Sequence, residues 1–460
     1  MTGTDPRRRD DGLGWVTRAV FPDERVRLTL LPAGASQPAL DPADRLLARY
    51  AVVPSPARAR FLLPLGPRRV TAASVWAYNA LRPLRVRLPR ALLGLAARTG
   101  VLQVTRPAVL TVSAPGGTGS AGVPPAGPAG PEPAGQLTLV DHLAAHSGGA
   151  RWYAAIGVRP PDPNHKPTVQ LFDAAGRPRG YAKIGWNDAT RELVRAEAAA
   201  LAAVAPVAGV GEHPVVPRLL AAGEWSGQAV TVVEPLPADV RGVGLGEPPQ
   251  VAAVLAVARR GGAPAAPQPL AGSAFLDRLR RSAAAAASDP DGTAAAGRPD
   301  GTPAAGGPAA GAADPLAGRR LAAAVERLAD RFEQVRVEFG HWHGDWVPWN
   351  LGRYAGRLVA WDWEHSGPEV PVGFDLAHDA FQRKLVLDGA SAASAAAAVD
   401  AQLHRLAAAL GVDAEQRRLI VQSYLIEMWL RTWRLATGGA GWNPALHPAL
   451  LDVIEQRGAD

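Results

Sequence analysis

The sequence predicts an α+β protein of two lobes, a small antiparallel β lobe carrying one helix and a larger, mainly α-helical lobe, preceded by an additional N-terminal α/β region. Three observations predict it. Short apolar runs bounded by turn residues follow one another from Arg151 to Glu234 and are interrupted once by a helical pattern. From Pro249 onward the apolar residues recur mostly at helical spacing. Among those helical segments lies one polar stretch, His343 to Glu364, whose side chains are of the types that do chemistry.

At 460 residues the chain exceeds one typical domain and can bury sizeable cores. It contains no cysteine, which excludes a disulfide framework, thiol catalysis and a Cys-ligated zinc site and suits a reducing compartment. Met1 to Trp15 is rich in Arg and Asp and lacks the apolar core of a signal peptide, and no apolar stretch reaches membrane-spanning length. The expectation is a cytoplasmic protein with no membrane partner.

The net charge of +7 is unevenly spread, because residues 1 to 113 carry 18 Arg and 7 acids, or +11, which leaves the remainder at −4. These arginines are scattered among apolar residues instead of being clustered with aromatics, which argues against nucleic acid and leaves a solvated face or a protein partner for the basic N-terminal region.

Taken in order, residues 1–113 form the N-terminal region of unknown function. Strands are expected at Ala51 to Val53 and Arg60 to Leu63, and helices at Thr71 to Leu81 and Arg90 to Arg98. Residues 114–135, dominated by Gly, Pro and Ala, read as a flexible linker and a domain boundary. The small lobe, 136–236, opens with a helix or capped turn at Gln136 to His146. Strands follow at Arg151 to Val158, Thr168 to Phe172 and Gly180 to Gly185. A helix from Ala189 to Ala205, capped by Asn187 or Asp188, comes next, then strands at Val216 to Ala221 and Gln228 to Glu234. The large lobe, 237–460, has helical patterns at Pro249 to Arg259, Ser273 to Ala287, Leu316 to Gln334, Ser391 to Leu410 and Ala414 to Leu435, with a disordered insertion expected at 288–314.

The polar stretch places Asp345 five residues before Asn350, and a second carboxylate, Asp362, after the short apolar run Leu358 to Trp361. A turn at Ala355-Gly356 folds the two halves into a hairpin and brings the acids together. Phosphoryl transfer needs a carboxylate near the attacking hydroxyl and oxygen ligands for Mg²⁺, and these residues supply both.

The pattern HGDxxPxN from His343 to Asn350, followed by Asp362-Trp363-Glu364, resembles the aminoglycoside phosphotransferase-like family of the protein-kinase-like fold over roughly residues 136–460. No family is recognised in 1–113. The resemblance implies ATP and Mg²⁺ as cofactors, Asp345 as catalytic base or hydroxyl-orienting residue, and His343 as a brace of the loop. It further implies Asn350 and Asp362 as Mg²⁺ ligands and Asp375 as a support for the catalytic loop.

The chain uses three lysines against 46 arginines, so each lysine is informative. Lys183 lies mid-strand, where a compact ammonium reaches phosphates in a way that a guanidinium fork does not reproduce. It resembles the strand-three lysine of kinases. Glu197, on the following helix, then stands where that lysine's ion-pair partner is expected, with Glu192 as a competitor. In place of a GxGxxG loop the chain has Gly157 to Pro167, whose Lys166 could meet phosphate by charge. Glu234-Pro235-Leu236-Pro237 falls where the connection to the large lobe would bind adenine.

The expected function is a small-molecule kinase that moves the ATP γ-phosphoryl group to a hydroxyl of a small, sugar-like acceptor. Residues 375 to 460 carry 10 acids and 8 basic residues, too balanced to favour a polycationic aminoglycoside. Eight of the 13 tryptophans follow position 341, and aromatic faces can stack on sugar rings. Two alternatives stand beside it. One is a nucleotide-binding pseudokinase or regulatory module, suggested by the missing glycine loop. The other is a metallohydrolase reading His341, His343 and Asp345 as HxHxD, although the next residue is Trp346 where that pattern wants a further histidine.

Overall fold

A computed structural model describes residues 4–35, 41–77, 84–101, 105–115, 136–145, 151–288 and 316–459. The chain divides into two compact units, one of Met1–Trp186 with Leu219–Ala238, the other of Asn187–Arg218 with Asp239–Asp460. No helix among the described residues is long and apolar enough to cross a membrane.

The first unit is built on one antiparallel sheet of nine strands. Its strands are β1 (Arg27–Leu31), β2 (Asp44–Val53), β3 (Phe61–Pro64), β4 (Val109–Pro115), β5 (Tyr153–Gly157), β6 (Thr168–Phe172), β7 (Pro178–Gly185), β8 (Leu219–Trp225) and β9 (Gln228–Val233), in the order β1-β4-β2-β3-β5-β6-β7-β9-β8. Helices α1 (Gly12–Val20), α2 (Arg68–Trp76), α3 (Leu84–Thr99) and α4 (Leu139–Ala145) accompany it. Asp11 caps α1 by accepting from the amides of Leu13 and Gly14.

A domain boundary was expected at 114–135, yet β3 pairs with β5, Phe61 opposite Gly157 and Leu62 opposite Ile156, so the sheet runs unbroken from the N-terminal strands into the small-lobe strands. One apolar core is shared, with Val16, Leu30 and Leu110 from before the proposed boundary clustered with Ile156, Ile184 and Val230 from after it. Ala114 and Pro115 belong to β4, whereas residues 116–135 lie outside the described residues. Strand β8 also begins later than the pattern suggested, at Leu219.

The second unit is mainly helical. Helix α5 (Asp188–Val204) starts from an Asn187 capping box, in which Thr190 N donates to Asn187 Oδ1 and Asn187 N to Thr190 Oγ1. It groups with this unit and not with the β lobe to which its place in the sequence assigned it. Close approach explains its packing, because a Cβ on Gly438 would lie 2.8 Å from Ala189. Helices α6 (Val251–Ala258), α7 (Ala274–Ser288), α8 (Ala317–Arg331), α9 (Phe374–Gln382), α10 (Ala392–Leu410), α11 (Ala414–Leu435) and α12 (Ala449–Ala459) complete it. The expected insertion at 289–314 lies outside the described residues, while Ser288 is still part of α7.

Short antiparallel pairs frame the polar stretch. Continuing the numbering, β10 (Arg241–Gly242), β11 (Gln268–Pro269) and β12 (Arg336–Val337) precede β13 (Phe339–Trp342), which pairs with β16 (Gly367–Pro371). β14 (Leu351–Tyr354) and β15 (Arg357–Ala360) form a hairpin closed by Ala355 and Gly356, both at positive φ, as a tight two-residue turn requires.

Candidate active site

The loop between β13 and β14 is shaped by its backbone before any side chain acts. Gly344 adopts φ +81°, and a Cβ there would lie 2.0 Å from the His365 carbonyl oxygen, so only glycine fits. Its neighbours hold it on both sides. The amides of His343 and Gly344 donate to the two oxygens of Asp375, at 2.8 and 2.9 Å, and a guanidinium nitrogen of Arg431 donates to the Gly344 carbonyl at 2.8 Å. Burial pushes the Asp375 carboxyl up to about 7, against the pull of these two amides and of the Arg431 charge.

Asp345 stands at the apex. Asn350 Nδ2 donates to its Oδ2 at 2.7 Å and to its carbonyl oxygen at 3.2 Å, while His378 Nε2 lies 2.9 Å from Oδ1. Its side chain is 27% exposed, enough to leave one edge open to a ligand. Burial raises its pKa, and the His378 hydrogen bond and the nearby charges overcome that to leave it below its ordinary value. The carboxylate is ionised at neutral pH.

His343 is fully buried, and its tautomer follows from its partners. The Asp345 amide can only donate, so Nδ1 accepts from it at 3.2 Å; the Trp361 carbonyl can only accept, so Nε2 carries the proton that meets it at 3.1 Å. Burial lowers its pKa to about 4, which keeps the ring neutral. With both nitrogens committed, His343 has no lone pair for a metal, and this overturns the HxHxD metallohydrolase reading.

At the end of β15, Asp362 adopts φ +72°, a conformation rare outside glycine and tolerated by Asp. Its carboxylate, with those of Glu364 and Glu197 from α5, offers one oxygen each to a group of three that lie within 4.8 Å of one another. Three carboxylates so close repel when ionised, and hard oxygen donors of this kind suit Mg²⁺. These residues could hold a divalent cation. Asn350, whose amide nitrogen serves Asp345, has only Oδ1 to offer a cation. Glu197 is itself buried on α5, 2% exposed, and groups with Asp362 and Glu364.

The other expected ligands lie in the first unit. Lys183 is mid-strand on β7, opposite Thr168 on β6 and Thr231 on β9. Lys166 sits half-buried in the β5–β6 connection, and Glu234 half-buried just after β9. That connection is braced from the N-terminal region: Trp15 of α1 meets His165 and Trp186 edge-on at 6.4 and 6.0 Å, Trp186 Nε1 donates to the His165 carbonyl at 2.9 Å, and a Cβ on Gly12 would fall 2.2 Å from the Arg159 oxygen.

Compared with solved structures, the chain is similar to aminoglycoside phosphotransferase APH(4)-Ia. A thermostable mutant of it in apo form is 14% identical, with 70% of this chain and 98% of that chain covered at a TM-score of 0.41. The ternary complex of the thermostable enzyme with ADP and hygromycin B covers 70% and 99% at 14% identity and a TM-score of 0.40. Amicoumacin kinase hAmiN, in complex with AMP-PNP, Ca²⁺ and Ami, is 11% identical over 64% of this chain and 86% of its own, with a TM-score of 0.33. No family model matches the chain, and no curated protein does.

Three residues that sequence reasoning did not single out complete the site: His378 and Tyr424, linked to Asp345, and Arg431, which grips Gly344 and lies over the Trp342 ring at 5.1 Å. Tyr424 and Arg431 are seven residues apart, two helical turns on one face of α11, a spacing visible in the sequence with nothing there to say what it faces.

Proposed function

We propose that the protein is a phosphotransferase that moves the γ-phosphoryl group of ATP to a hydroxyl of a small, sugar-like acceptor, with Asp345 as the group that orients and deprotonates that hydroxyl. The single observation that carries this reading is the state of Asp345, an ionised and partly open carboxylate held by donors on both of its oxygens. A base must sit near the reacting hydroxyl in a fixed orientation, and that positioning contributes more than any special reactivity of the group.

The other residues take roles around it. Asp362, Glu364 and Glu197, with Asn350 Oδ1 turned to the same work, would hold Mg²⁺. The cation, when bound, neutralises phosphate charge. Lys183 would hold the phosphates that are not transferred, Lys166 would add charge from the β5–β6 connection, and the backbone around Glu234 would receive adenine. Asp375, His343 and Arg431 fix the loop and take no part in bond making. The acceptor is a neutral polyol or sugar, since the C-terminal segment offers no excess of acid to attract a polycation.

A screen of sugars, amino sugars and polyols with γ-labelled ATP and Mg²⁺ tests the reading. Label is expected on a neutral sugar or polyol. Tight nucleotide binding without transfer to any hydroxylated compound would favour the pseudokinase instead.

A further inference from the structure

We propose that His378, steadied by Tyr424, is a positioning residue for Asp345, so that the catalytic carboxylate is set by these two side chains as well as by Asn350. The kinetic consequence rests on the phosphotransferase reading; the structural one rests on the hydrogen bonds.

His378 lies on α9, one turn beyond Asp375, and its side chain is wholly buried. Nε2 is 2.9 Å from Asp345 Oδ1, and Nδ1 is 3.0 Å from the Tyr424 hydroxyl of α11. An ionised carboxylate only accepts, so Nε2 must carry a proton. Burial and the neighbouring Arg431 charge disfavour a second proton on the ring, which makes Nδ1 the acceptor and Tyr424 the donor. Burial keeps that hydroxyl protonated. The direction of the chain is therefore fixed: Tyr424 O–H to Nδ1, then Nε2–H to Oδ1.

Asn350 tethers Oδ2 and His378 tethers Oδ1. A carboxylate held by one oxygen pivots about that bond. Held by both, it keeps its plane and presents its remaining lone pairs in set directions, which a near-attack geometry requires. Simple packing does not account for the pair. Burying an imidazole and a phenol hydroxyl costs free energy that an apolar side chain of similar volume would avoid, and the Trp342 and Phe381 rings already supply an apolar jacket, Trp342 against His378 at 6.4 Å and Phe381 against Tyr424 at 5.8 Å. What the polar pair adds is a donor aimed at the one loop carboxylate open to a ligand.

The test uses the full-length protein with Mg²⁺-ATP and a sugar that the wild type phosphorylates. His378→Leu removes the donor, His378→Gln keeps one near the Nε2 position, and Tyr424→Phe removes the outer bond alone. In His378→Leu, kcat is expected to fall by about 10- to 100-fold while KM for ATP stays within about twofold. His378→Gln should recover most of that loss, with Tyr424→Phe in between. Wild-type kcat in His378→Leu, or an equal loss in the Leu and Gln variants, would overturn the proposal.

A second readout needs no turnover. In ¹⁵N-histidine-labelled protein the His378 Nε2 proton should appear far downfield and exchange slowly, move in Asp345→Asn and vanish in His378→Gln. Absence of such a proton in the wild type sinks the tether even if the enzyme is active. Its presence in a protein that phosphorylates nothing would support the tether and reject the phosphotransferase reading.

Discussion

At His343 both ring nitrogens serve the backbone, and burial holds the pKa near 4 against an ordinary value of 6.5. Between those two values the unfolded chain binds more protons than the folded one. The stability that His343 contributes is thus complete above pH 6.5 and is lost as pH falls toward 4, by on the order of 3 kcal/mol. Urea unfolding at pH 7 and pH 4.5 should show this dependence in the wild type and a shallower one in His343→Gln. An identical pH dependence in the two would refute the assignment. The carboxylate group of Glu197, Asp362 and Glu364 makes a separate prediction at this scale. Mg²⁺ should raise the melting temperature of the wild type, since binding to the folded state stabilises it. Glu364→Gln should need at least about tenfold more Mg²⁺ for the same rise, roughly 1.4 kcal/mol of lost binding. An unchanged titration would remove Glu364 from the cation site.

The elements that carry local signals were legible. Asp345, Asn350 and Asp362 stand out because their spacing is a matter of one loop and one hairpin, and the Ala355-Gly356 turn was readable from its residues. The strand series from Thr168 to Gly185 and helix α11 have the periods that the sequence shows. What escaped was contact over long sequence distance. Nothing local says that His378 of α9 meets Tyr424 of α11, 46 residues on, or that both serve Asp345. Nor does a short, wholly apolar strand such as β3 announce its partner, since register is settled only when both strands are in place. The pairing of β3 with β5 yields an expectation at this level: a fragment of residues 136–460 would leave β5 as an uncovered edge and expose Ile156, Leu171 and Ile184, which now share a core with the N-terminal strands. That fragment should aggregate or fail to melt cooperatively. A soluble, cooperatively folding fragment would restore the boundary first expected at 114–135.

At the scale of the whole molecule, each unit carries its own part of the expected site residues. The first carries Lys183 on β7 and Lys166 in the β5–β6 connection, two of the chain's three lysines. The second presents the carboxylates. The basic N-terminal region belongs structurally to the first unit through β3 and through α1, whose Trp15 and Gly12 brace the β5–β6 connection. The central claim is that Asp345 acts on the acceptor hydroxyl and not on the nucleotide. Its most direct test compares Asp345→Asn with the wild type, measuring phosphoryl transfer to the sugar and, separately, the Kd for Mg²⁺-ATP. Loss of a general base is expected to lower kcat by at least about a hundredfold while Kd stays within about threefold; transfer at the wild-type rate, or a loss of nucleotide affinity that accounts for the whole defect, would contradict the account.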